Sequence, residues 1–220
     1  MSFLNNYPLY TALGDSLTVG VGSTLFMPNF VKCFHRDLKS YFQMPVACRK
    51  FAKNGATTGD ILATLYRPDV ARTVASARFI TLTGGGNDLL RAGKIWIRMR
   101  DRTLLSRALG ESHTNIERII AAMIHLHAGH SESFMIRILN LYNPMPHIPE
   151  SRLWLEAFNE RLLSLERFAE VRVADIYHAF YGRESSLLAM DHTHPNPLGY
   201  KIMADTTARL GFDPVARRGA

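Results

Sequence analysis

What most limits the fold of this chain is an alternation. Short apolar runs rich in β-branched and aromatic residues are each followed by a longer stretch of helical periodicity. Residues 10–13, 46–52, 78–83, 134–141 and 171–174 read as strands. Residues 30–41, 58–65 and 68–76 read as helices, and 87–128 holds two more, predicted to part near Gly110. The clearest single helix is 150–168, with Leu155, Phe158, Leu162 and Leu165 at three- and four-residue spacing. Pro197 opens the last helix, where its missing N–H costs nothing, and Gly211 ends it. Strands separated by helices pair in parallel through right-handed crossovers, so the expected class is α/β, a three-layer α/β/α stack. No repeat or linker divides the chain; residues 1–213 read as one domain and 214–220 as a flexible basic tail.

In an open parallel sheet, ligands bind beyond the carboxyl ends of the strands. Polar and glycine-rich residues stand there: Gly14-Asp15-Ser16 after the first strand, Asn54 to Gly59 after the second, and Gly84-Gly85-Gly86-Asn87-Asp88 after the third. Ser16 is either a helix N-cap or a nucleophile. A serine hydroxyl is weak until a general base takes its proton, and a carboxylate commonly fixes the tautomer of that base. The run Asp191-His192-Thr193-His194-Pro195-Asn196 holds such a pair within one turn of chain, although spacing alone does not choose between the histidines; its other reading is a solvated turn. After the third strand the glycines permit positive φ and close approach, and the Asn87 amide can donate to developing negative charge. A phosphate cradle is the rival there, but neither P-loop nor GxGxxG spacing occurs.

The formal net charge of +7 permits nucleic acid, anionic lipid or an acidic substrate as partner and selects none. No interleaving of aromatic and basic residues suggests a nucleic-acid platform. Cys33 and Cys48 fit no zinc or CxxC spacing and read as buried free thiols. The first residues, MSFLNNYPLYTALGDS, lack a charged segment followed by an apolar one, and no stretch reaches the ~18 apolar residues of a membrane span. A cytoplasmic location is expected.

Gly14-Asp15-Ser16-Leu17, the segment Asn54 to Asp60, Gly86-Asn87-Asp88 and Asp191-x-x-His194-Pro195 resemble, in order, the four blocks of the SGNH, or GDSL, hydrolases. The runs GDSLTVGVG, TGGGNDL, LNLYNP and HPNPLGY resemble the bacillus-type spore germination lipases most of all. The resemblance implies a flavodoxin-like sheet of five parallel strands in the order 2-1-3-4-5. It implies Ser16 as nucleophile, His194 as base and Asp191 as the residue that orients it. The oxyanion hole would be the N–H groups of Ser16 and Gly59 with the Asn87 side chain, without metal or cofactor. His192 becomes a surface bystander, Asp175 is set aside as triad acid by the Asp-x-x-His spacing, and Asp15 and Asp88 hold their loops. The activity implied is serine hydrolysis of carboxylic esters, a lipase or phospholipase in the subgroup, with spore association. A carbohydrate O-acetylesterase or thioesterase uses the same residues, and a basic binding module without catalysis is the rival from outside enzymology.

Two segments bear on substrate. Between Arg91 and Arg107, six basic residues face the single acid Asp101. On a helical reading Arg91, Lys94, Arg98 and Arg102 share one face, opposite Leu89, Leu90, Trp96, Ile97 and Leu104, although Gly93 weakens a continuous helix. That stripe is either a solvated face or a lid that docks on anionic phospholipid. The proline-rich run Tyr142 to Pro149 is expected to form a stiff loop on the same edge, with Met145 and Ile148 lining an acyl pocket.

Overall fold

The computed structural model describes residues 7–23, 27–99 and 102–217, apart from the side chains of residues 97, 99, 102 and 217. Five strands, β1 (Leu9–Gly14), β2 (Ala47–Ala52), β3 (Ala77–Leu82), β4 (Met135–Leu139) and β5 (Val171–Ala174), pair in parallel in the order β2-β1-β3-β4-β5. Side chains alternate along each strand, and that alternation builds two cores. Tyr10, Ala12, Phe79 and Met135 point to one face and pack with α2 (Phe30–Phe42), α8 (Ile176–Phe180) and α10 (Pro197–Ala208). Leu13, Ile80, Leu82, Ile136 and Ile138 point to the other, under α3 (Thr58–Leu65), α4 (Pro68–Ala75), α6 (Arg102–Leu126) and α7 (Pro149–Leu163). The remaining helices, α1 (Ser16–Val19), α5 (Gly86–Met99) and α9 (Glu184–Leu187), lie in the connections that follow β1, β3 and β5. The result is the expected three-layer α/β/α stack.

Helix starts follow local chemistry. Asn29 caps α2 by accepting from Lys32 N, and Thr57 and Asp60 form a reciprocal capping box on α3. Pro68, Pro149 and Pro197 each occupy a first helical turn.

Several boundaries differ from expectation. The break in 87–128 falls between Met99 and Arg102, and Gly110 lies inside α6. A mid-helix glycine costs only about 1 kcal/mol, and the buried stripe Leu105, Leu109, Ile116, Ile119 and Ile120 runs across it unbroken. Arg91, Lys94 and Arg98 therefore belong to α5, while Arg102 and Arg107 belong to α6; Arg100 and Asp101 lie outside the described residues. The helix expected over 150–168 ends at Leu163, and its last turn tightens into a 3₁₀ turn (Ser164–Arg167) that keeps Leu165 buried. Of the two thiols, Cys33 is buried and Cys48 half-buried.

The tail expected over 214–220 is packed as far as it is described. Val215 is buried in the α2–α10 core and opens a short 3₁₀ turn, Val215–Arg217; residues 218–220 lie outside the described residues. Arg137, fully buried in β4, anchors this end by donating from Nη2 to the carbonyls of Gly211 and Asp213, each at 2.8 Å.

Candidate active site

The carboxyl ends of the strands carry the polar residues. β1 ends at Gly14, and Asp15 caps the short helix that begins at Ser16. The cap is thus Asp15, and Ser16 is the first helical residue, with its side chain free for another role. Asp15 accepts from Leu17 N at 3.0 Å and from the Thr83 hydroxyl at 2.8 Å, and Thr83 in turn bonds the Thr18 hydroxyl. Burial raises the Asp15 carboxyl above the usual range, against the pull of these hydrogen bonds.

His194 reaches Ser16 across the end of the sheet. Its Nε2 lies 2.9 Å from Ser16 Oγ, and its Nδ1 lies 2.6 Å from Asp191 Oδ2. A carboxylate accepts only, so Nδ1 carries the proton and Nε2 presents its lone pair to the serine hydroxyl. The other Asp191 oxygen takes the backbone N–H groups of Thr193 and His194 at 3.0 and 2.9 Å. Desolvation works to raise the Asp191 carboxyl, but these donors and the imidazole overcome it and hold it at about 2. The turn is closed by an isolated bridge between Leu188 and Pro195. Gly22, at φ +90°, passes so near that a Cβ there would sit 2.6 Å from the Pro195 carbonyl. Only glycine allows that approach.

His192 is exposed. Asp175 forms a second pair of the same spacing, with Oδ2 2.6 Å from His178 Nδ1, but His178 is largely solvent-exposed and no serine hydroxyl meets its Nε2 among the described residues. Of these two pairs, Asp191–His194 is the one whose Nε2 meets a serine hydroxyl among the described residues.

Three donors make up the expected oxyanion hole, the N–H groups of Ser16 and Gly59 and the Asn87 amide. Asn87, in the first turn of α5, gives one Nδ2 hydrogen to the Ala56 carbonyl at 2.9 Å and keeps the other. Asp88 accepts from both Thr58 N and Thr58 Oγ1, which stitches the start of α3 to that of α5. Among the described residues neither the Ser16 nor the Gly59 N–H meets a protein acceptor. Gly59 is exposed and lies outside the cavity lining.

Ser16, Asn87 and His194 open onto a cavity of about 320 Å³ whose walls are mostly apolar. Met145 and Ile148 line it, together with Leu89, Trp96, Leu105 and Trp154. Lys94 and Glu150 stand among the lining residues as charged members. Trp154 and the first turn of α7 escaped the sequence reading, because helical spacing places them on a face without saying that the face closes the strand ends. No group of three or more metal-ligating side chains occurs among the described residues.

Residues 12–202 match the model of the GDSL-like Lipase/Acylhydrolase family. The spore germination lipase LipC of Bacillus licheniformis is 37% identical over 203 residues, 92% of this chain and 96% of that protein. The crystal structure of the lipase Lip_vut3 from a goat rumen metagenome superposes with a TM-score of 0.91 at 36% identity, covering 94% of this chain and 99% of the other. Axe2, an acetylxylan esterase from Geobacillus stearothermophilus, shares the fold at a TM-score of 0.66 and 17% identity, covering 94% and 95%.

Proposed function

The chain belongs to the GDSL-like lipase/acylhydrolase family, and on that premise we propose that it hydrolyses carboxylic esters of lipids through an acyl-enzyme formed on Ser16. Ser16 Oγ attacks the ester carbonyl carbon while its proton passes to His194 Nε2. The Asp191 carboxylate holds the ring in the required tautomer and stabilises the imidazolium. Backbone N–H groups of Ser16 and Gly59 and the remaining Nδ2 hydrogen of Asn87 receive the oxyanion. His194 then protonates the leaving alcohol oxygen, the C–O bond breaks, and the acyl group stays on Ser16. Water, deprotonated by the same imidazole, attacks the acyl-enzyme; the acid departs and the proton returns to Ser16 Oγ.

The observation that carries this reading is the unbroken hydrogen-bond chain from Asp191 through His194 to Ser16, two of whose members line an apolar cavity. That lining favours an acyl chain over the O-acetyl sugar of the alternative acetylesterase reading. Exposed Arg91, Lys94 and Arg98 on α5 support a further contact, with anionic lipid at the cavity mouth. Spore association is proposed from the relationship to the germination lipase alone.

The test is covalent labelling with a phosphonate ester, located by peptide mass, alongside turnover of esters of increasing acyl length. Ser16 is expected to carry the label, and Ser16→Ala to fold normally with turnover reduced by orders of magnitude. Each added methylene is expected to raise kcat/KM about fourfold until the cavity is full, from roughly 0.8 kcal/mol per buried CH₂. A label elsewhere overturns the nucleophile; a preference for acetyl replaces lipid with the acetylesterase reading.

A further inference from the structure

Besides Ser16, the Asp191–His194 turn receives a hydrogen bond from the side chain of Tyr142, which follows β4 on a different part of the sheet edge. Its hydroxyl lies 2.6 Å from the Thr193 carbonyl, the peptide between the acid and the base. A carbonyl only accepts, so the tyrosine donates. Both Asp191 oxygens are occupied within the turn, and the Thr193 carbonyl takes none of the turn's own hydrogen bonds.

Tyr142 is itself fixed on every side. The residue before it, Leu141, is braced by Asn159 of α7, which accepts from its N–H at 2.9 Å and donates to its carbonyl at 2.8 Å. The residue after it, Asn143, bonds Ser151 at the start of α7 and the Met145 N–H. The Tyr142 ring stacks on Phe180 with centroids 4.6 Å apart and an interplanar angle of 21°. The same ring lines the cavity that receives Ser16 and His194. Burial, with smaller contributions from Tyr200, Asp15 and Asp191, pushes the phenol well above its ordinary range, which favours the protonated hydroxyl as donor.

We propose that Tyr142 is a positioning residue for the reaction, holding the Asp191–His194 turn against the cavity wall so that the imidazole stays within reach of Ser16. This rests on the reading of Ser16 and His194 given above. A base displaced by about 1 Å can lose up to 10²-fold in rate, and a hydrogen bond from an immobile ring limits that displacement.

The test compares Tyr142→Phe with Tyr10→Phe. Tyr10 also loses a buried hydroxyl bond, to Thr81 at 2.8 Å between β1 and β3, and is not part of the site. For Tyr142→Phe, kcat is expected to fall about tenfold with KM and the acyl-length profile unchanged, because the ring remains in the cavity. Phosphonate labelling of Ser16 is expected to slow in parallel. Tyr10→Phe is expected to melt at a similarly lowered temperature with parental kcat. Parental kcat in Tyr142→Phe, or an equal fall in both variants, overturns the proposal. Turnover surviving in Ser16→Ala defeats instead the reading beneath it, whatever Tyr142→Phe does.

Discussion

Asp191 is nearly half exposed, with 45% of its side chain open to solvent, yet its carboxyl is held at about 2. Water should screen a single ion pair at such a site, so the geometry of the turn has to account for it. Two backbone N–H groups and the imidazole converge on two oxygens, and a carboxylate accepting several such bonds strongly prefers its charged form. Because the folded value lies below the ordinary 3.8, this group contributes stability that is complete above about pH 4 and is lost as the pH falls through about 2. Loss of activity on acidification at higher pH therefore has another source. A carboxyl titration followed by NMR is expected to place Asp191 near 2 in the parent and higher in His194→Ala, where the imidazole is gone and the backbone donors remain. An unchanged midpoint would mean that the ring contributes nothing. Asp191→Asn, which offers an amide where the ring needs an acceptor, is expected to lower kcat by about 10³ to 10⁴ without unfolding the protein.

The turn after β3 shows which elements were legible in the sequence. Its three glycines were readable as a place of close approach, but only Gly85 has positive φ, at +102°, and what approaches it was not readable. A Cβ on Gly85 would lie 2.3 Å from Cζ of Phe158, a ring of α7 seated directly on the turn. Gly85→Ala is expected to cost about 2 to 5 kcal/mol from overpacking and φ strain together and to lower kcat by displacing Asn87. Adding Phe158→Leu should recover the overpacking share of that loss, leaving the φ strain. A neutral Gly85→Ala in thermal melts would contradict the clash. The distinction is physical. Ser16, Asn87, Asp191 and His194 were legible because each follows a strand or sits in a short turn of recognisable chemistry. The partners of Phe158, Trp154 and Tyr142 were not, because those contacts link distant stretches of chain and leave no local period. Gly110 misled for the related reason that a buried helical face outweighs a single poor helix former.

At the scale of the whole molecule, every proposed catalytic group follows the carboxyl end of a strand or lies in the Asp191–His194 turn, and a basic face of α5 borders the cavity they share. Arg91, Lys94 and Arg98 are exposed on α5, Ile95 beside them is an exposed apolar side chain, and Lys94 and Trp96 of the same helix line the cavity. No helix among the described residues is long and apolar enough to cross a membrane. Each basic residue near an anionic bilayer contributes about 1 kcal/mol, decaying within a Debye length of ~10 Å at 0.1 M salt. Flotation is therefore expected to carry the protein with anionic vesicles at low salt, less at high salt, and hardly at all with neutral ones. A net charge of +7 could produce the same trend without any particular face, so the location has to be tested separately. Arg98→Glu on α5 and Arg209→Glu, which follows α10 on the opposite side of the sheet, lower the net charge equally. If α5 is the docking face, Arg98→Glu weakens flotation several-fold more than Arg209→Glu. Equal weakening would assign the attraction to overall charge, and indifference to lipid charge and salt would remove the contact altogether.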